Sequence, residues 1–349
     1  MGIKKLSDFI RKKFPDAYEE AHISEYAFHR VAIDISIFLI VFKVTYQDKW
    51  LNAFIKLVEC LRKNELHCVF IYDSGAPPEK KQERENRAAS KQKLKTKIED
   101  VSSALEEFET NGTISDNLLE FQRKRNIQVK LLGNTGGINV KGINAELKKM
   151  NSQNFHLSES DFLLTKKLFD ILQVPYYDAP LEAETMCSDL CKRGLVEAVL
   201  SKDTDVLAYG APSFLTNLNT FTGICYKVKI EKLLEEMELT YNEFLDFCIM
   251  CGTDYNENIP NIGPVKAYQL IKEFSSLEKI KESGIDISIL NHERVRELFT
   301  CYEKKKVKIS YCGTPDFIKL EEFIFENNIR INVEDIKKSF THNIVVYED

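Results

Sequence analysis

No apolar run in the chain is longer than residues 37–42, far short of the roughly 20 residues that span a bilayer. Nor is there a surplus of basic charge: 48 Lys and Arg stand against 54 Asp and Glu, a net charge of −6. Taken alone, that balance argues against a nucleic-acid binder, since such proteins usually carry a basic excess. With 14 Gly and 9 Pro in 349 residues, a collagen-like repeat is excluded, and 44% apolar residues exclude a disordered tail. Cysteines are odd in number (nine) and scattered among apolar neighbours, as reduced core thiols are, so a small disulfide scaffold is excluded too. Cys248-x-x-Cys251 is half of a zinc motif without its other half and reads as core packing. The start lacks a signal-peptide apolar region, and Leu6 stands where N-myristoylation needs Ser or Thr. An intracellular protein with one large core or two smaller ones is expected.

What is present is an alternation of strands and helices. Residues 30–33 and 68–72 are short apolar strands, each followed by an aspartate. Trp50, Leu51, Phe54, Ile55, Val58 and Leu61 recur at helical spacing between them. Strand, helix, strand in that order is a βαβ unit with a parallel sheet. The pattern breaks at Pro77-Pro78. Residues 80–97 then hold eight basic and two acidic residues, and 99–120 hold seven acidic residues and no Lys or Arg. With Gly133, Gly136, Gly137 and Gly142 following, this stretch reads as an insertion of charged helices and flexible backbone lying over the sheet. Alternation resumes at a capping box, Ser158 with Asp161, opening a helix over 159–172. Strands are expected at 174–177, 198–201, 214–217 and 224–228, and a helix at 181–193. Thr240 and Glu243 cap a helix that stops at Gly252, and Pro264 starts another over 265–274.

The acids at the strand ends carry the chemistry. Asp34, Asp73, Asp203 and Asp205 follow apolar strands, whose carboxyl ends share one crevice in an open parallel sheet. Glu182 and Glu184 start a helix, and Asp254 follows the Gly252 stop. Any one of them alone reads as a turn or first-turn acid. Gathered in one crevice, they would repel each other unless cations neutralise them. An oxygen-only donor set without His or Cys suits Mg²⁺ or Mn²⁺. Two such ions ~4 Å apart activate water for in-line attack on a phosphodiester.

These residues lie in motifs that resemble the flap endonuclease/XPG family of structure-specific 5′ nucleases over most of the chain. The motifs are Met1-Gly2-Ile3 with Leu6, VAIDIS around Asp34, FIYDSGAPPEKK around Asp73, VPYYDAPLEAET around Glu182 and Glu184, SKDTDVLAYG around Asp203 and Asp205, and MCGTDYNENIPNIGPVKA around Asp254. The resemblance implies an α/β fold: a PIN-like nuclease core with a mostly parallel sheet, an inserted helical arch and a C-terminal helix–two-turn–helix element. It divides the chain into an N-terminal nuclease region (1–100), an arch or cap (78–150), an internal nuclease region (158–240), the helix–two-turn–helix region (241–310) and an extension (311–349).

By the same resemblance, Asp34, Asp73, Glu182 and Glu184 form one set of metal ligands and Asp203, Asp205 and Asp254 the other, for two Mg²⁺ ions that Mn²⁺ can replace. Lys81 takes the place of the arch lysine that meets the scissile phosphate. Ala88 stands where an arginine is expected, with Arg87 beside it. Gly2, Lys80, Lys81, Arg84, Arg87, Gly263 and Lys266 are the implied DNA contacts. Gly263 admits a phosphate close to the backbone, and the helix N-terminus after it offers free N–H groups.

The family's helix–two-turn–helix also holds a K⁺ ion, but Asn258 replaces a hydroxyl residue there. Ile40 replaces a stacking aromatic, residues 42–48 are short for a 3′-flap pocket, and 337–340 lack the glutamine and paired aromatics of a sliding-clamp motif. Branched DNA is therefore the expected partner, with neither a membrane nor a sliding clamp, for a monomer at a nuclear or cytoplasmic, cellular or viral, site of replication. The activity expected is 5′-flap cleavage. Alternatives are a 5′→3′ exonuclease, a bubble cutter or a four-way-junction resolvase of the same family, and a non-catalytic junction binder.

Overall fold

In the computed structural model, residues 2–127, 137–154 and 157–340 are described; Gly133 and Gly136 lie outside them. Seven strands form one sheet: β1 (Glu19–His22), β2 (Arg30–Asp34), β3 (His67–Tyr72), β4 (Tyr176–Asp178), β5 (Ala198–Leu200), β6 (Ser213–Thr216) and β7 (Ile224–Lys229), in the order β1-β7-β6-β5-β2-β3-β4. The strands from β6 through β5, β2 and β3 to β4 run parallel; β7 and β1 add an antiparallel edge. Central strands are buried on both faces, which is why they read as unbroken apolar runs. Alternate residues of β2 serve opposite cores, Val31 and Ile33 on one side and Ala32 on the other. β1 was not expected. Its Glu-Glu-Ala-His has no apolar alternation, and it is a strand only because β7 offers it an edge.

Among the described residues the helices are α1 (Leu6–Lys13), α2 (Ile35–Tyr46), α3 (Trp50–Lys63), α4 (Lys81–Asn111), α5 (Asp116–Lys124), α6 (Val140–Gln153), α7 (Glu159–Leu172), α8 (Ala183–Lys192), α9 (Asp205–Ala208), α10 (Ile230–Met237), α11 (Tyr241–Cys251), α12 (Pro264–Phe274), α13 (Leu277–Glu282), α14 (His292–Thr300), α15 (Phe317–Glu326) and α16 (Val333–Phe340). One core holds α2, α3, α7, α15 and α16 against the sheet; the opposite core holds α1, α8 and α10 to α14. Both capping boxes form, and Cys248 and Cys251 are buried free thiols in α11. No helix is long and apolar enough to cross a membrane among the described residues.

The charged insertion is more regular than its composition suggests. α4 runs unbroken for 31 residues, through the basic run and into the acidic one, ending at Gly112 with φ 76°. Its first half buries no side chain, though Leu94 begins to pack on the cap core. Its second half buries Ile98, Val101, Ala104 and Leu105 against α5 and α6, in a small separate core with Leu118, Phe121, Ile143 and Leu147. α6 in turn rests on α2, so the insertion forms a cap that touches the nuclease core on both sides.

Candidate active site

β2 delivers Asp34, 2% exposed, to the carboxyl end of the sheet, where its side chain caps α2 by accepting the Ser36 amide at 2.9 Å. Asp73 follows the adjacent β3. One of its oxygens accepts the Ala183 amide at 2.7 Å, and the other accepts the Ser36 hydroxyl, so Asp73 fastens the start of α8 to the start of α2. That amide bond places Glu182, the residue before α8, and Glu184, in its first turn, over the same crevice. First-turn acids are also favoured there by the helix dipole.

Asp203 and Asp205 come from the turn after β5. Asp203 accepts the Asp205 amide at 3.0 Å, and Asp205 accepts the Ile3 amide at 2.8 Å, which draws the N-terminal segment into the site. Gly2 sits there with φ +82°. A Cβ on it would lie 1.9 Å from one Asp203 oxygen and 2.6 Å from one of Asp205. Only glycine fits. Asp254, just past α11, completes the group.

Burial and mutual repulsion dominate the electrostatics. Burial, with Asp73, Glu184 and Asp203 nearby, holds the Asp34 carboxyl well above the usual range, and burial beside Asp203 and Asp254 does the same to Asp205. Burial also raises Asp203. Glu184 is pushed up to about 8 by burial against the pull of Lys80, with Glu182, Asp203 and Asp73 adding to the rise. Lys80 reaches into this crowd. Its ammonium pairs with Glu182, lies 3.3 Å from Glu184 and 3.2 Å from Asp254, and is held charged, its pKa raised by those acids against its own burial. Arg87 adds a second cation, its Nη2 2.9 and 3.0 Å from the two Asp254 oxygens.

Among the described residues no three acidic, His or Cys side chains meet in a finished cage for an ion. The chemistry of the donors nonetheless fits hard divalent cations: buried carboxylates only, without nitrogen or sulfur, already drawing in positive charge.

A family model described as the XPG N-terminal domain matches residues 1–94, and one described as the XPG I-region matches residues 173–254. Probable RAD2-like endonuclease 369L of Invertebrate iridescent virus 6 is 30% identical, covering 97% of this chain and 92% of that protein. The chain belongs to the flap endonuclease/XPG family. Flap endonuclease 1 of Tetrahymena thermophila is also 30% identical, over 89% of this chain and 74% of that one. The catalytic core of Rad2 in complex with DNA substrate matches with a TM-score of 0.66 over 97% of this chain and 99% of that one; at 16% identity this is a likeness of fold.

Of the arch cations that the sequence singled out, Arg87 reaches the carboxylates, and Lys80 rather than Lys81 does so beside it. Lys81 begins α4 facing outward, 80% exposed and 3.9 Å from Glu85. Lys80, closing the turn Pro78–Lys80, points inward instead. Lys80 and Arg87 are seven positions apart, two helical turns, and it is this pair that meets the carboxylates.

Arg84 shares a cavity with Asp254. The cavity, of about 1060 Å³, lies between α2, the first half of α4, the end of α6 and the Thr253-Asp254 loop; Gly2, Lys4, Ile40 and Arg87 also face it. Lys266 is exposed on the first turn of α12, well apart from the carboxylates. Gly263 precedes that helix with φ −97°, a conformation open to any residue, and a Cβ there would meet nothing within 4 Å. Any requirement for glycine at 263 comes from outside the chain.

The loop where the resemblance places a K⁺ ion is tied by Asn258. The Asn258 amide donates to the carbonyls of Ile259 and Ile262 at 3.1 and 3.2 Å, closing internally a loop that a cation would otherwise bridge.

Three contributors escaped the sequence reading: Ser36, Tyr255, whose hydroxyl donates to Glu182 at 2.6 Å, and Arg294, which pins Glu79 at the arch base at 2.7 Å. Tyr255 follows Asp254 directly, a neighbour relation visible in the motif. Ser36 likewise closes the VAIDIS motif, though its bond to Asp73, like Arg294, is visible only in three dimensions.

Proposed function

We propose that this chain is a divalent-metal-dependent, structure-specific 5′ nuclease that cuts DNA where a single-stranded 5′ arm leaves a duplex. The observation that carries this reading is a crowd of carboxylates at the end of the sheet in which Lys80 pairs with Glu182, Glu184 and Asp254, and Arg87 with Asp254, beside a cavity edged with basic residues. The viral RAD2-like and ciliate flap endonuclease relatives support it. Asp34, Asp73, Glu182 and Glu184 would hold one Mg²⁺ or Mn²⁺ ion, and Asp203, Asp205 and Asp254 the other. Such a pair supplies an activated water and neutralises charge on the departing 3′ oxygen, leaving a 5′-phosphate.

The remaining work falls to the chain's own cations and passages. With the carboxylates neutralised, Lys80 and Arg87 are free to hold the oxygens of the scissile phosphate, Arg87 as a planar fork and Lys80 as a point charge. Arg84 and Arg87 wall the cavity through which a single strand passes, and α2 and the end of α6 line its other sides. The start of α12, with Gly263 and Lys266, offers N–H groups and charge to the duplex backbone.

A strand threaded through this cavity needs a free 5′ end, which favours flaps over bubbles and four-way junctions. Labelled 5′-flap, nicked, bubble and cruciform substrates, each with and without Mg²⁺, test this. Flap cleavage only with Mg²⁺ is expected; an intact flap in Mg²⁺ refutes the reading.

A further inference from the structure

Glu182 is held differently from the other acids. One of its oxygens pairs with Lys80, and the other accepts the Tyr255 hydroxyl at 2.6 Å. Tyr255 in turn shares a hydrogen bond with Tyr209, which is 1% exposed. A carboxylate paired with an ammonium can only accept, so Tyr255 donates to Glu182 and its own oxygen accepts from Tyr209. The order of the chain is therefore fixed: Tyr209 to Tyr255 to Glu182. Both rings are clamped from behind by Phe299 of α14, with centroids 4.7 Å from Tyr209 and 5.4 Å from Tyr255. The Tyr255 amide is itself fixed by the Thr253 hydroxyl at 3.0 Å. Neither tyrosine can turn away without breaking this packing, so the carboxylate of Glu182 has one orientation available.

We propose that Tyr255, backed by Tyr209, is a positioning residue that sets the Glu182 carboxylate for a divalent cation. The inference rests on the metal-dependent reading above and deepens it. Glu182 leads α8 and, among the described residues, accepts from no backbone amide, unlike Asp34, Asp73, Asp203 and Asp205. Tyrosine hydroxyls take over that anchoring. Side chains that hold a metal-binding carboxylate typically govern a 10–100-fold range of metal affinity.

The test is Tyr255→Phe, which keeps the ring and its packing and deletes only the hydroxyl. Mg²⁺ affinity is read by calorimetry on the full chain without DNA, and flap cleavage is followed across a Mg²⁺ series. The expected result is a Mg²⁺ dissociation constant about 10-fold weaker, an equal shift in the Mg²⁺ needed for half-maximal cleavage, and recovery of the rate at saturating Mg²⁺. Tyr209→Phe should move both readouts the same way by less, and it serves if Tyr255→Phe folds poorly. A core tyrosine with no positioning role would change melting temperature but leave Mg²⁺ affinity within twofold, and that outcome overturns the proposal. Wild-type protein that binds no Mg²⁺ and cuts no flap overturns the metal-dependent reading itself, and this inference with it.

Discussion

The crevice and the cap handle charge in opposite ways. In the crevice, Asp34, Asp203 and Asp205 are buried, crowded and fixed by backbone amides, with Lys80 buried among the acids beside them. In the cap, the charges of α4 and α5 lie in solvent and pair locally along their own helices, as Lys95 does with Glu99 and Glu120 with Lys124. The cap folds on a small apolar core, and its charges decorate it. Charge is costly in the crevice and nearly free in the cap, so the crevice is where it must be serving chemistry. The same contrast disposes of the net charge of −6: seven acids belong to a site that attracts cations, and the basic residues gather at the first half of α4.

The contrast breaks most visibly at Asp205. Asp205→Asn keeps an oxygen for the Ile3 amide and removes one buried charge. Flap cleavage should fall on the order of 10³-fold or more, since a bound cation is worth several kcal/mol of transition-state stabilisation. The melting temperature of the metal-free protein should rise, because a carboxylate crowded by Asp203 and Asp254 is lost. A fall in melting temperature together with retained cleavage would put Asp205 among structural acids.

Next in size is the pair at the arch base. Lys80→Ala should slow the chemical step about 10²–10³-fold, as removal of a donor aimed at developing charge does, whereas Lys81→Ala should stay within about twofold. Single-turnover rates on one flap substrate decide between them. Equal effects would mean that the arch rotates by one residue when DNA binds. Gly2→Ala follows. Its Cβ would lie 1.9 Å from an Asp203 oxygen, so the carboxylate must shift, and displacements near 1 Å cost roughly 10²-fold in rate.

Most of the crevice was legible in the sequence because a strand end is a local feature. An apolar run closed by an acid announces both the strand and the direction of the side chain's surroundings, and Asp34, Asp73 and Asp203 all follow that form. What supports them was not legible: the Ile3 amide reaches Asp205 across 202 positions, and Ser36 meets Asp73 across 37. The choice between Lys80 and Lys81 depended on helix phase. Two adjacent lysines look alike until the end of the Pro78–Lys80 turn sends one inward and one outward. The core of the cap was missed for a different reason. Its charge dominates the composition, yet Ile98, Val101, Ala104 and Leu105, spaced for a single helix face, decide its structure.

The cap's own core gives the remaining tests, and they separate its apolar from its charged residues. Phe121 is 2% exposed in that core, so Phe121→Ala should cost about 3–5 kcal/mol, confined to the cap. Hydrogen exchange should speed up in α5, α6 and the second half of α4 while the sheet stays protected, because the two cores share no buried residue. Flap cleavage should then decline through loss of the passage, with Mg²⁺ affinity unchanged. Glu120→Gln, at the preceding position on the same helix, removes an exposed partner of Lys124 and should leave melting temperature, exchange and cleavage where they were. A measurable loss there would mean that the cap's surface charge holds its helices together, and the division between costly charge in the crevice and idle charge in the cap would have to be redrawn at α5.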